Sequence, residues 1–147
     1  MEFKLEGLDR VLAKLKNVSS EVAKRGARAA GTRAMRIVRD AARNGARQLD
    51  DPKTGSNIAK NITTRYDGRA SKRLGAVVVK VGVAGGAKPR KGDEDTGHWR
   101  MLEFGTSKMA AQPFMRSALE DNVDEVTAKF ISELEPQIDK ALAKVGR

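Results

Sequence analysis

The sequence predicts an α+β fold: a small antiparallel or mixed sheet packed against a long helix in the N-terminal half and a long C-terminal helix. Three observations predict it. An Ala- and Arg-rich stretch from about Ser20 to Leu49 contains no proline. Five valines crowd into Leu74–Val83. Near the C-terminus, Leu119, Val123, Val126, Phe130, Leu134, Ile138, Leu142 and Val145 recur every three or four residues, the period of one helix face. At 147 residues, the chain is expected to form a single domain over 1–147.

Glu2–Glu6 alternates apolar and polar residues and reads as a short strand ended by Gly7. Leu8, Val11, Leu12 and Leu15 then fall on one side of a short amphipathic helix. Ser19 or Ser20 can cap the next helix, and Asp50-Asp51-Pro52 stops it after Leu49. Thr54-Gly55-Ser56-Asn57 reads as a turn into one helical turn at Ile58–Asn61. A strand is expected at Ile62–Tyr66, then a turn at Asp67-Gly68 and a second strand at Leu74–Val83. Three consecutive valines there imply at least partial cover on both faces. Gly85–Gly97 is a polar loop rich in Gly, Lys and Asp. The last element is read as one continuous helix that Pro136 should kink.

Composition narrows the function. The chain has no cysteine, which excludes disulfides, thiolate zinc sites and cysteine nucleophiles. No uncharged run is long enough to cross a bilayer, so no membrane is expected as a partner. Leu, Ile, Val and Phe make up only 31 residues, a lean core that predicts stabilisation by other subunits. Bases exceed acids by ten, favouring an acidic surface or a polyanion as neighbour. The excess lies in residues 1–114, most of it in 1–70, whereas the segment after Phe114 is mildly acidic.

On a helical projection Arg25, Arg28, Arg33, Arg36, Arg39, Arg43 and Arg47 occupy one side of the long N-terminal-half helix. Opposite them lie Ala23, Ala27, Ala30, Ala34, Ile37, Val38, Ala41 and Leu49. The arginines are a solvated face, a ridge for acidic protein surface, or a path for non-specific contact with phosphates. One Trp and one Tyr leave no platform for reading bases.

No catalytic constellation is evident. His98 is the single histidine and stands beside Trp99, so no Ser-His-Asp or His-rich metal set can be assembled. Asp93, Glu94, Asp95 and His98 lack a known ligand spacing. Gly82, Gly85 and Gly86 match neither a P-loop nor a dinucleotide fingerprint. The expectation is a protein that is not an enzyme and needs no cofactor and no metal.

The run from Leu102 to Leu119 makes local sense as a turn into a helix. Phe104 is expected as an apolar anchor, Gly105 as a tight turn, and Pro113 and Phe114 as the entry to the next helix. Glu103-Phe104-Gly105-Thr106-Ser107-Lys108 followed by Pro113-Phe114-Met115-Arg116 resembles the signature of the HK97-type phage head–tail joining or tail-completion family. Ser117 stands where members of that family often have Pro. The order of elements along the whole chain is similar to the family's as well.

The resemblance implies a non-enzymatic virion protein of the neck and tail, made in the host cytoplasm and assembled between the DNA-filled head and the tail. Expected partners are further copies in a ring, other neck and tail proteins, and phage DNA through non-specific contact. A tail terminator capping the tube is the alternative within that class, and a free basic nucleic-acid-binding protein the alternative outside it. Much of the signature serves as turn and cap. The interface candidates are Arg25, Arg28, Arg36, Arg39, Arg43, Arg47, Lys108 and Met109.

Overall fold

The structure is a computed structural model that describes residues 7–16, 18–49, 52–84 and 99–145. The expected strand at Glu2–Glu6, the Gly85–Gly97 loop and His98 lie outside the described residues. The described elements are α1 (Leu8–Leu15), α2 (Ser20–Arg47), α3 (Pro52–Asn61), β1 (Ile62–Tyr66), α4 (Gly68–Leu74), β2 (Val79–Val83), α5 (Trp99–Phe104), α6 (Phe114–Glu120) and α7 (Val123–Val145). The fold is α+β, long helices with a small sheet. β1 and β2 form a two-stranded antiparallel sheet. Bonds from Asp67 N–H to Val78 C=O and from Ala84 N–H to Asn61 C=O bracket the pair, setting Ile62 opposite Val83.

Contacts divide the chain into two units. The first holds the described parts of Met1–Arg36, Arg65–Lys80 and Asp124–Arg147. Its core is built by Val11, Val22, Ala30, Leu134, Ile138 and Ala141, with Leu15, Val18, Ala27 and Phe130 packed around them. Gly26 explains how closely α2 and α7 approach. A Cβ there would stand 2.7 Å from the Ile138 side chain and 3.2 Å from its backbone nitrogen. α1 is tied to α7 by charge, with Arg10 on Glu135 and Lys14 on both Glu135 and Asp139.

The second unit holds the described parts of Ile37–Thr64 and Val81–Val123. Its buried residues include Val38, Ala42, Ala46, Ile58, Ile62, Phe114 and Ala118. Trp99 meets Phe114 edge-on at 6.5 Å between ring centroids, and Gly45 lets the Phe114 backbone come close.

Several expectations are corrected. α3 begins at Pro52 rather than at Ile58, and Thr54-Gly55-Ser56 is helix instead of turn. Gly55 is there for space, because a Cβ would stand 2.3 Å from the Ala46 carbonyl oxygen. The second strand starts at Val79, because Gly68–Leu74 is a capped helix. Asp67 accepts from the Ala70 N–H at its start, and Gly75 closes its end in the left-handed conformation. Val77, Val78 and Val79 are half-buried.

The C-terminal helix is two helices. Asn122 donates from Nδ2 to the Ala118 carbonyl at 2.8 Å and closes α6. Helix then resumes at Val123 and continues through Pro136. The start of the expected stripe is solvent-facing, since Leu119 and Val123 are exposed, and Leu142 is exposed as well. The buried residues of α7 are Ile131, Leu134, Gln137, Ile138 and Ala141.

The buried line along α2 runs through Val22, Gly26, Ala30, Ala34, Val38, Ala42 and Ala46, one residue in every four. Each four-residue step advances about 40° around the axis, so the contact line winds round the helix. The two long sides are therefore not fixed along its length, and the arginines divide into groups with different surroundings.

Candidate binding surfaces

The signature turn belongs to the second unit and is organised by Glu103, whose side chain is 1 % exposed. Its carboxylate accepts from the Met115 N–H at 2.9 Å and from the Arg116 N–H at 2.8 Å. It also accepts from Arg116 Nε at 3.2 Å, while Arg116 Nη2 donates to the Glu103 carbonyl at 3.0 Å. One acidic residue at the end of α5 thus caps the first turn of α6 and gathers the arginine of the second half of the motif. Sequence reading placed Glu103 in the signature without this role. The signal available was its spacing from Arg116 across a Pro-Phe helix start.

Gly105 has φ +74°, and a Cβ there would stand 2.8 Å from the Ala111 backbone nitrogen. Its N–H donates to the Met101 carbonyl. Thr106 and Met109 then exchange backbone hydrogen bonds at 2.9 and 3.3 Å, which leaves Lys108 exposed at the tip. Pro113 is extended at the N-cap of α6, and Phe114 is buried behind it.

Phe104 departs from the expected anchor. Its side chain is 62 % exposed, with the Arg116 guanidinium 5.0 Å from the ring centroid. Met101, one turn earlier on α5, is also exposed, as is Met109. The turn therefore holds three large apolar side chains in solvent on a backbone fixed by buried polar bonds.

The arginines of α2 have separate fates. In the second unit Arg39 pairs with neighbouring Asp40 at 2.9 Å. Arg43 donates from Nε and Nη2 to the Ile62 carbonyl at 3.1 and 2.8 Å, and Arg47 donates to Asn44. Arg43 therefore holds the entry to β1 and is a structural residue. In the first unit Arg25, Arg28, Arg33 and Arg36 line an open groove of about 750 Å³. Lys140 and Lys144 of α7 line it too, over a floor that includes Ala29, Ala141 and Ala143. Among the described residues no carboxylate lines the groove.

Arg33 is offset by Glu133 at 3.3 Å. Hydrogen bonding from Lys129, reinforced by Gln137 and the charges of Lys129 and Arg33, holds the Glu133 carboxyl below the usual carboxylate range. Arg28 lies 4.1 Å from the centroid of the Tyr66 ring. Among the described residues, Arg25, Arg36, Lys140 and Lys144 face no carboxylate within ion-pairing distance. The described residues contain no group of three or more His, Asp and Glu placed to hold a metal ion, and no helix long and apolar enough to cross a membrane.

The first unit thus carries a basic groove, and the second an ordered turn with exposed apolar side chains. The chain belongs to the HK97-gp10-like family, described as "Bacteriophage HK97-gp10, putative tail-component", whose model matches residues 9–105. That match takes in Glu103, Phe104 and Gly105 and ends before Thr106–Arg116. No curated protein and no solved structure matches the chain significantly. The protein is a phage tail-component family member, which associates it with the virion and with other phage structural proteins.

Proposed function

We propose that this chain is a non-enzymatic assembly protein of the phage neck that completes the tail and joins it to the head. Copies associate head to tail into a ring, the closed form such heterologous contacts take when their rotation closes. The observation that carries this reading is the signature turn. Buried Glu103 fixes its backbone while Met101, Phe104 and Met109 stay exposed. A fold gains nothing by holding an aromatic ring in water, whereas a preformed apolar tip lowers the ordering cost of docking. The lean apolar content supports the same view, because burial between subunits adds to a small core.

The test is complementation of a phage lacking this gene with a Met101→Ser/Phe104→Ser variant. An aromatic anchor at an interface contributes about 2 kcal/mol or more, enough to block joining when two anchors go together. The variant should keep the wild-type melting curve while heads and tails accumulate separately. Normal particle yield from the variant would contradict the reading.

A further inference from the structure

We infer that the groove between α2 and α7 in the first unit is a binding track for the phosphate backbone of duplex DNA. The proposal does not depend on the ring or on the signature turn, which belongs to the other unit. Its basis is a run of exposed positive charge in which, among the described residues, Arg33 alone is offset by a carboxylate, that of Glu133, and Arg25, Arg36, Lys140 and Lys144 are offset by none. Arg25, Arg28 and Arg36 on one wall and Lys140 and Lys144 on the other are all exposed. Between them the lining is mostly small or polar, with Ala29, Thr32, Gln137, Ala141 and Ala143, and the groove is open to solvent.

The charge continues beyond the groove. Arg28 stacks on Tyr66, and Tyr66 lines a second hollow of about 570 Å³ edged by exposed Arg65, Arg69 and Lys72. Among the described residues Asp67 is the single carboxylate lining that hollow, and Lys80 already pairs with it. One stacked pair therefore bridges two basic hollows into a continuous cationic track.

Length and uniform sign select the partner. Arg25 to Arg36 spans about 16 Å along the helix, where a carboxylate cluster on a protein would satisfy only a few of the cations. Duplex DNA presents a negative charge every ~1.7 Å along its axis, so each cation on the track finds a phosphate. Arginine forks match phosphate oxygens in pairs, and the cations are exposed, so little desolvation opposes binding. A single strand would want stacking faces, and the ring of Tyr66 is already occupied by Arg28. Contacts of this kind position a duplex without reading its sequence.

The test is fluorescence anisotropy with a labelled random-sequence duplex and the full chain, titrated between about 50 and 200 mM salt. The wild type should bind at the low end, with log K falling linearly in log salt. Arg25→Gln/Arg36→Gln/Lys140→Gln/Lys144→Gln should reduce the steepness of that line by about one per lost phosphate contact. A quadruple variant at positions that line neither hollow, Lys16→Gln/Lys53→Gln/Lys60→Gln/Arg100→Gln, loses the same net charge and should keep most of the wild-type slope. Arg25→Lys/Arg36→Lys retains the charge and should bind nearly as the wild type does, which keeps the test valid if the neutral variant misfolds. Equal slopes for the two quadruple variants would overturn the proposal. Tighter binding to a labelled single strand, or duplex displacement by polyglutamate at equal charge concentration, would overturn it in favour of a single-strand or acidic-protein partner.

Discussion

Glu103 is where the largest effect of a single residue is expected. Removing its carboxylate strands the Met115 and Arg116 N–H groups beneath Phe114 and frees the Arg116 guanidinium. Hydrogen bonds to a charged group contribute about 1.5–3 kcal/mol each, so Glu103→Ala should destabilise by at least ~3 kcal/mol in urea unfolding. An unchanged midpoint would show that the turn is held some other way. The titrating groups give a second expectation. The Ala70 N–H first, then Lys80, holds the Asp67 carboxyl below its ordinary range, and Lys129 does the same first for Glu133. A carboxyl depressed in the folded state stabilises above its unfolded value, near pH 4, and loses that contribution as pH falls through the folded value. The urea midpoint should fall between neutral pH and about pH 3, less steeply for Asp67→Asn/Glu133→Gln than for the wild type. Lys14 has the opposite sign. Hydrogen bonding to Asp139 raises it, so its contribution is complete below the ordinary lysine range and fades as pH climbs through the raised value.

At the scale of elements, periodicity was a good guide and punctuation a poor one. α1 spans Leu8–Leu15, as its apolar spacing predicts, and β1 spans Ile62–Tyr66, where a strand is expected. Asp67-Gly68 and Thr54-Gly55 read as turns because Gly and Asp favour them. Tertiary context uses the same residues differently. Asp67 is an N-cap, and Gly55 makes room for the Ala46 carbonyl inside a helix. The break at Asn122 was not legible, because the apolar period runs unbroken across it. The winding contact line of α2 was not legible at all, since a flat projection assumes a fixed neighbour along the whole helix. Close approach at α3 is testable. Alanine is the better helix former, yet Gly55→Ala should destabilise by about 1–3 kcal/mol because its methyl would meet a backbone oxygen. A stabilised variant would show that α3 can shift away at no cost.

For the whole molecule, the family and the α+β class were legible, while the surroundings of the candidate side chains were not. The motif Glu103-Phe104-Gly105 pointed to a phage structural family, and the family model covers those residues. That Glu103 would be buried and Phe104 exposed depends on how α5 meets α6, which no local pattern encodes. Likewise seven arginines at helical spacing looked like one ridge. The fold spends Arg43 on a backbone carbonyl and leaves Arg25 and Arg36 facing two lysines on α7. The proposed role requires several copies of this chain at the head–tail junction. Immunogold electron microscopy of purified particles from the phage encoding it tests that placement most directly. The account predicts label concentrated at the junction of head and tail in intact virions. Particles that carry no label there, or carry it only along the tail tube or at the distal tip, would contradict it.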